Sequence, residues 1–363
     1  MTVTRLATKR DDAPVLVTGG CGFLGCNIAA TLASRGRSVV AADNLSRAGA
    51  RINAGWLRRR FGNLVEIAVV DVRDRAAVDD LVGGAAAVLH LAGQVAVTTS
   101  LDEPVEDFEI NAGGTLNVLE AVRRHNPAAP VIFASTNKVY GRLLDGGAVH
   151  RVDGRYAPDE GRFAAGVSED APLDFHSPYG CSKGAADQYV HDYARVHGLR
   201  TVVLRMSCIY GPRQFGTEDQ GWIAHFLLQA LRGQPITIYG DGYQVRDALY
   251  VGDAVNAWLG TLDAIETTRG QVFNLGGGPA SSLSLRELLD WIEALHGARP
   301  DVRMDAWRPG DQPWYVSDVR KLSRAIGWTP STPLREGLRA LDDWLSAGPA
   351  QPDAAARLQE AQA

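Results

Sequence analysis

Short apolar runs alternate with longer amphipathic stretches through the N-terminal half of the chain. Pro14–Thr18, Ser38–Ala42, Val65–Val70, Ala86–Leu91 and Val131–Ser135 each read as a strand. They are dominated by Val, Leu, Ile and Ala, as strands buried on both faces are. Between them lie helical stretches: Phe23–Arg35, stopped near Gly36, a long helix opening at Asn111, and another running through Tyr193. Regular alternation of strand and helix predicts an α/β fold, a Rossmann-type doubly wound parallel sheet with ligands at the strand ends. No apolar run approaches a membrane span, and Met1–Asp12 lacks the hydrophobic stretch of a secretory leader.

The first strand meets the first helix through Gly19-Gly-Cys-Gly-Phe-Leu-Gly25. Glycines at 19, 22 and 25 let a pyrophosphate approach the backbone, and the helix N-terminus offers it free N–H groups. Asp43 ends the second strand. A carboxylate there hydrogen-bonds an adenosine ribose and repels a 2′-phosphate, so NAD is expected rather than NADP. Arg47 follows in a loop and does not overturn that reading. Asp71 and Val72 fall where adenine would be contacted, and His90-Leu-Ala-Gly-Gln94 beside the nicotinamide ribose and pyrophosphate. His90 itself reads as a structural histidine.

Tyr179 and Lys183 stand four apart, which puts both on one helix face. The ammonium is expected to pull the phenol down from its usual pKa of about 10. A tyrosinate can take a hydroxyl proton while a hydride leaves the same carbon. Thr136, at the end of the fifth strand, can hydrogen-bond the reacting oxygen. Tyr-x-x-x-Lys alone is a weak signal; the glycine loop and Asp43 give it weight.

Composition narrows the classes further. A chain of 363 residues with 45% apolar and 22% charged residues makes one large or two medium soluble domains. A net charge of -5 gives no case for nucleic acid or an anionic membrane. Cys21, Cys26, Cys181 and Cys208 lack metal-ligand spacing, so reduced thiols, a cytoplasmic location and no metal are expected. Of the 37 basic residues, lysines are confined to Lys9, Lys138, Lys183 and Lys321, and two of these fall in the motifs.

Together these motifs resemble the extended short-chain dehydrogenase/reductases of the NAD-dependent sugar-nucleotide epimerase/dehydratase family. The resemblance runs from about Pro14 to Leu345. It adds Tyr210-Gly-Pro-Arg213, Gly240-Asp-Gly-x-x-x-Arg-Asp247, Val251-x-Asp253, Phe273-Asn-Leu-Gly276 and Arg308-Pro-Gly-Asp-Gln312. It implies tightly bound, recycled NAD held by Gly19, Gly22, Phe23, Leu24, Asp43, Asn44, Asp71, Val72, Leu91, Ala92, Gly93, Gln94, Asn111, Tyr179 and Lys183. Catalysis falls to Thr136, Tyr179 and Lys183. The nucleotide sugar is expected at Gln94, Thr136, Asn137, Lys138, Cys208, Arg213, Gln220, Tyr239, Arg246, Arg308 and Asp311. Arg246 and Arg308 suit the diphosphate, because guanidinium presents forked donors to phosphate oxygens. Cys208 stands where many members carry asparagine.

The resemblance also divides the chain: an extension at 1–13, the NAD-binding domain at 14–207, a smaller α/β substrate domain at 208–346 that crosses back to the first, and a flexible tail at 347–363. The irregular segment 142–176 is expected to form a lid over the sugar. Family dehydratases carry an Asp-Glu pair directly after the threonine; Asn137 and Lys138 cannot replace that acid/base pair, so reversible oxidation remains. Ser135–Gly141, Asp174–Tyr189, Gly93–Ser100 and Asp219–Trp222 narrow the likeness to members that invert C2 of a CDP-linked 3,6-dideoxyhexose. C4 inversion of another sugar nucleotide is the alternative, with a net oxidoreductase or dehydratase further off. A homodimer or homotetramer is expected from helix pairing usual in the superfamily.

Overall fold

The apolar runs become strands of one parallel sheet in the computed structural model, which describes residues 13–143, 149–159, 161 and 163–348. Residues 1–12 and 349–363, most of the expected extension and tail, lie outside the described residues. The first half supplies β1 (Val15–Thr18), β2 (Val39–Asp43), β3 (Val65–Val69), β4 (Ala87–His90) and β5 (Val131–Thr136). A hairpin of β6 (Val149–Val152) and β7 (Arg155–Pro158) stands apart, and β8 (Thr201–Met206) rejoins the sheet beside β5. Then come β9 (Cys208–Tyr210), β10 (Ile236–Tyr239) and β11 (Val245–Tyr250), followed by β12 (Gln271–Leu275), which crosses back to pair with β8. The last three are β13 (Ser282–Ser284), β14 (Val302–Asp305) and β15 (Trp314–Tyr315).

The central order is β12-β8-β5-β4-β1-β2-β3. Winding reverses between β1 and β4, so a crevice opens beyond their C-terminal ends, where doubly wound sheets bind ligands. Helices cover both faces: α1 (Phe23–Ser34), α2 (Ala48–Phe61), α3 (Arg75–Gly83), α4 (Val97–Asp102), α5 (Pro104–Phe108), α6 (Gly114–His125), α7 (Ser177–His197), α8 (Trp222–Leu231) and α9 (Val251–Asp263). On one face Ile28 and Leu32 of α1 join Leu89, Ile132 and Leu204 of the sheet and the fully buried Trp258 of α9. On the other, Val118 and Val122 of α6 and Ala186 and Val190 of α7 pack on Leu16, Val88 and Phe133. Each large apolar side chain so buried contributes about 1.5–3 kcal/mol, which fixes the strand ends that carry the polar residues. A π-helical turn, Glu109–Gly113, joins α5 to α6 and holds Asn111 inside.

The smaller layer is built around β11, which pairs with β13, β15 and β9, while β10 pairs with β14. The described part of segment 142–176 docks on this layer. Tyr156 N donates to Tyr243 O at 2.8 Å, Arg155 pairs with Glu287 at 2.7 Å, and Val167 N donates to Val316 O at 2.7 Å. Phe163 stacks on Trp314, their centroids 5.7 Å apart. None of these described residues lines the large cavity. Among the described residues no helix is long and apolar enough to cross a membrane.

Candidate active site

The glycine loop is a packing necessity before it is a binding element. A Cβ on Gly25 would stand 2.2 Å from Gly19 O, and one on Gly19, at φ +67°, would stand 2.8 Å from Ala92 N. With both positions bare, α1 begins directly behind the loop, and its N-cap Gly22 spends no side chain on the first N–H groups. Asp43 closes the loop from the end of β2: its carboxylate accepts from Cys21 N at 3.1 Å and Leu45 N at 2.8 Å. Asn44 donates to Asp71 at 3.0 Å, and Arg73 beside Asp71 holds that carboxyl down to about 2. Burial pushes the Cys21 thiol up to about 12, so it is a small packed side chain and not a nucleophile.

A cavity of about 760 Å³ follows the crevice from this loop to α7. Gly19, Gly22, Phe23 and Leu24 form one wall; Asp43, Asn44, Asp71 and Val72 form one end. Leu91, Ala92, Gly93 and Gln94 lie beneath, and Thr136, Tyr179 and Lys183 form the other end. Asn111 sits just behind this lining, its Oδ1 and Lys183 Nζ both facing the bare side of Gly93. His90, bonded to Thr18 at 2.6 Å and Thr115 at 3.1 Å, is held to about 3 by burial and is structural, as its sequence context indicated.

Tyr179 and Lys183 share one face of α7, both buried. Their electrostatics depart from the sequence expectation. Burial pushes the phenol up to about 12, with a Thr136 hydrogen bond opposing it and Asp107 adding to it. Burial likewise brings the Lys183 ammonium down to about 7, against the pull of Asp187 and then Asp107. Lys183 Nζ lies 4.2 Å from the Phe133 ring centroid, a cation–π contact that favours its charge but does not offset the burial. Spacing along the helix predicted the attraction between the two groups; desolvation of both outweighs it in the protein alone.

The expected sugar-nucleotide residues separate into three places. Lys138, Arg246 and Asp311 meet: both cations reach Asp311 Oδ1, at 3.4 and 2.6 Å. Cys208 adjoins them and accepts from Trp222 Nε1 at 3.5 Å, while Asn137 donates to Gln312 Oε1 at 3.4 Å. Tyr239 and Arg308 form a second group, with the guanidinium 3.8 Å over the phenol ring, Tyr239 OH donating to Glu218 at 2.8 Å and Arg308 paired with Asp219 at 3.3 Å. Arg213 and Gln220 line the large cavity on the far side from α7. Arg213, at φ +73°, turns its guanidinium 3.8 Å over Trp56 of α2, and Gln220 accepts from Arg47 at 2.6 Å. Both therefore sit with the Asp43 end of the cavity and apart from Lys138 and Arg246.

Sequence reasoning overlooked two buried carboxylates behind Tyr179, Asp187 and Asp107. Asp187 takes two bonds of 2.9 Å from Arg205 and a third from Ser135. Asp107 accepts from Ser182, Asn111 and Gln94. Asp187 stands four after Lys183 and Asp107 four before Asn111, a helical spacing that marks neighbours of site residues.

The sequence model of the NAD dependent epimerase/dehydratase family matches residues 15–276. The chain belongs to this family, and its cofactor is NAD. It is 44% identical over 346 residues to CDP-paratose 2-epimerase of Salmonella typhi, across 92% of this chain and 99% of that one. It is 32% identical to dTDP-glucose 4,6-dehydratase of Xanthomonas campestris, over 91% of this chain and 92% of the relative. The solved UDP-glucose 4-epimerase of Thermus thermophilus in complex with NAD superposes with a TM-score of 0.75 at 34% identity, covering 92% of this chain and 98% of that structure.

Proposed function

We propose that the chain inverts C2 of a CDP-linked 3,6-dideoxyhexose, converting CDP-paratose to CDP-tyvelose through a transient keto sugar. The observation that carries this reading is the end of β5: Thr136 and the Tyr179–Lys183 pair are together in the cavity, while the next positions are Asn137 and Lys138. A site with an oxidation triad and no neighbouring acid pair suits reversible oxidation and not loss of water. The likeness to the Salmonella enzyme, over almost the full length of both chains, supports the choice of C2 and of CDP.

The residues fit NAD. The bare Gly25 lets α1 begin close behind the glycine loop that lines the cavity, the uncapped start of α1 favours a pyrophosphate's charge, and Asp43 suits a ribose diol. The buried Asn111 Oδ1, without a partner among the described residues, and the Lys183 ammonium suit the second ribose. NAD, when bound, supplies a reversible two-electron oxidant for the sugar carbon.

The side chains manage the proton and the orientation. Tyr179 takes the proton of the C2 hydroxyl as that carbon is oxidised and returns it after the sugar has turned. Thr136, in hydrogen-bond contact with Tyr179, holds the same sugar oxygen. Lys183 favours the phenolate when it is charged, and a cationic cofactor ring in the same cavity adds to that effect. Arg246 and Lys138 around Asp311 hold the anionic part of the substrate, leaving the sugar free to turn.

In the same reading the protein works in the cytoplasm as a homodimer or a homotetramer. Leu101, Val105 and Phe108 on α4 and α5 and Tyr189 and Val196 on α7 are exposed apolar side chains that pairing across a two-fold would cover. Cys21, Cys181 and Cys208 are free thiols, in keeping with a reducing compartment.

The test is a panel of sugar nucleotides incubated with the purified enzyme and resolved by anion-exchange chromatography and proton NMR. CDP-paratose is expected to yield its C2 epimer, with UDP-glucose and dTDP-glucose unchanged. Inversion of UDP-glucose at C4 with CDP-paratose untouched would overturn the reading in favour of a 4-epimerase.

A further inference from the structure

Asp107 is an aspartate in a short helix whose neighbours Glu103, Glu106 and Glu109 are exposed, yet it is itself 1% exposed. Three donors converge on its two oxygens. Gln94 Nε2 reaches Oδ1 at 3.0 Å, Asn111 Nδ2 reaches Oδ1 at 3.1 Å, and Ser182 Oγ donates to Oδ2. Burial raises the Asp107 pKa, while the Ser182 hydrogen bond, the Lys183 ammonium and the Gln94 hydrogen bond oppose that shift and favour the ionised carboxylate. The same contacts fix the Asn111 amide, because the reverse orientation would set its oxygen against the carboxylate. Asn111 Nδ2 also donates to Ser182 at 3.1 Å, which closes the cluster.

Each of these partners lies at or just behind the reacting end of the cavity. Gln94 lines it, Asn111 Oδ1 and Lys183 Nζ face the same bare side of Gly93, and Ser182 lies between Tyr179 and Lys183 on α7. We propose that Asp107 is a positioning residue of the reaction: a buried anion that aligns Gln94, Asn111 and Ser182 and sets the charge balance of Tyr179 and Lys183 from behind. It does not itself line the cavity.

The surrounding charges differ in their partners. On α7, Asp187 also favours the Lys183 ammonium, more strongly than Asp107 does, but it is tied to Arg205 by a two-pronged contact. On β4, His90 is uncharged. On the solvent side, Glu106 and Glu109 pair with Arg73 at 3.4 and 3.8 Å. From α4, Ser100 turns inward and accepts from Tyr179 N at 3.1 Å, the uncharged Thr98 hydroxyl is buried as well, and Asp102 is exposed. Among the described residues Asp107 has no direct cation, so its field acts on Lys183 and Tyr179. An anion there keeps Lys183 protonated and opposes ionisation of Tyr179. It tunes the pair so that the phenol holds its proton until a cationic cofactor is in place.

The inference rests on Tyr179 as the acid/base, but its test does not depend on the substrate. The ionisation of Tyr179 is read by ultraviolet difference titration, as the protein minus its Tyr179→Phe variant, in the parent and in Asp107→Asn, each stripped of NAD. Removing the anion is expected to move the Tyr179 transition down by about one pH unit, while Asp107→Glu leaves it near the parent value. Where CDP-paratose is turned over, the acid limb of kcat/KM should move in the same direction. Should Asp107→Asn not fold, Asp107→Ser carries the same expectation. An unmoved or upward transition in a folded variant, or failure of both variants to fold, would make Asp107 a structural residue and overturn the proposal. An enzyme inactive on CDP-paratose but showing the shift would leave it standing and remove only the substrate assignment.

Discussion

Lys138 Nζ lies 3.4 Å from Asp311 Oδ1, joining the turn after β5 to a loop 173 residues further along the chain. The contact puts an ammonium two residues past Thr136, where family dehydratases carry an acid. Burial lowers the Lys138 pKa, and Asp311 opposes that shift. Asp311 also receives Arg246, so two cations share one carboxylate and a net positive charge remains. That charge suits the anionic end of a nucleotide sugar.

Removing the Lys138 ammonium should therefore weaken substrate more than cofactor. Lys138→Ala is expected to raise KM for CDP-paratose about tenfold, the worth of one charge-assisted hydrogen bond, with bound NAD unchanged. Lys138→Glu should be worse, because it sets a second carboxylate against Asp311. Steady-state kinetics with NAD content per subunit checks this; a Glu variant as active as the parent would contradict it.

Loss of the phenol should stop the reaction and spare the fold. Tyr179→Phe is expected to lower kcat by about 10²–10⁴-fold, the usual share of a general acid/base, with thermal unfolding close to that of the parent. Single-turnover and melting measurements check both parts.

Burial of Lys183 gives a pH-dependent stability with a definite sign. Its folded pKa of about 7 lies below the ordinary 10.5, so the folded protein binds fewer protons between those values. Stability from this group then rises with pH across that window, and its cost is greatest below pH 7. In protein stripped of NAD, Lys183→Met is expected to raise Tm most near about pH 6 and progressively less towards about pH 10. Melting curves at several pH values read the trend. A constant difference would contradict the assigned burial cost.

Asp43 should decide between NAD and NADP. Asp43→Asn is expected to weaken NAD about tenfold, again the worth of one charge-assisted hydrogen bond, and to admit NADP, since Arg47 lines the same end of the cavity. Calorimetric titration of the stripped protein with each dinucleotide measures it.

The parallel sheet was legible because its strands are buried on both faces, so they read as apolar runs with few polar interruptions; β1 and β5 fell within a residue of their predicted bounds. The glycine loop was legible because Gly25 cannot carry a side chain there. Asp107 was not: among exposed glutamates it reads as surface, and only the π-helical turn before α6 brings its neighbourhood inside. Tyr179 was misjudged in its acidity because spacing along α7 reports proximity and not desolvation. The guanidinium groups of Arg213 and Arg308, both motif positions, stack on Trp56 and Tyr239, contacts made across the fold and invisible in local sequence.

The most direct test follows the hydrogen on C2. Enzyme as purified, without added NAD, is incubated with CDP-paratose in deuterated water and followed by proton NMR. The account predicts that the CDP-tyvelose C2 proton appears at full intensity, because that hydrogen never leaves the site as a proton. Deuterium at C2 of the product would show exchange with solvent and would contradict the hydride route.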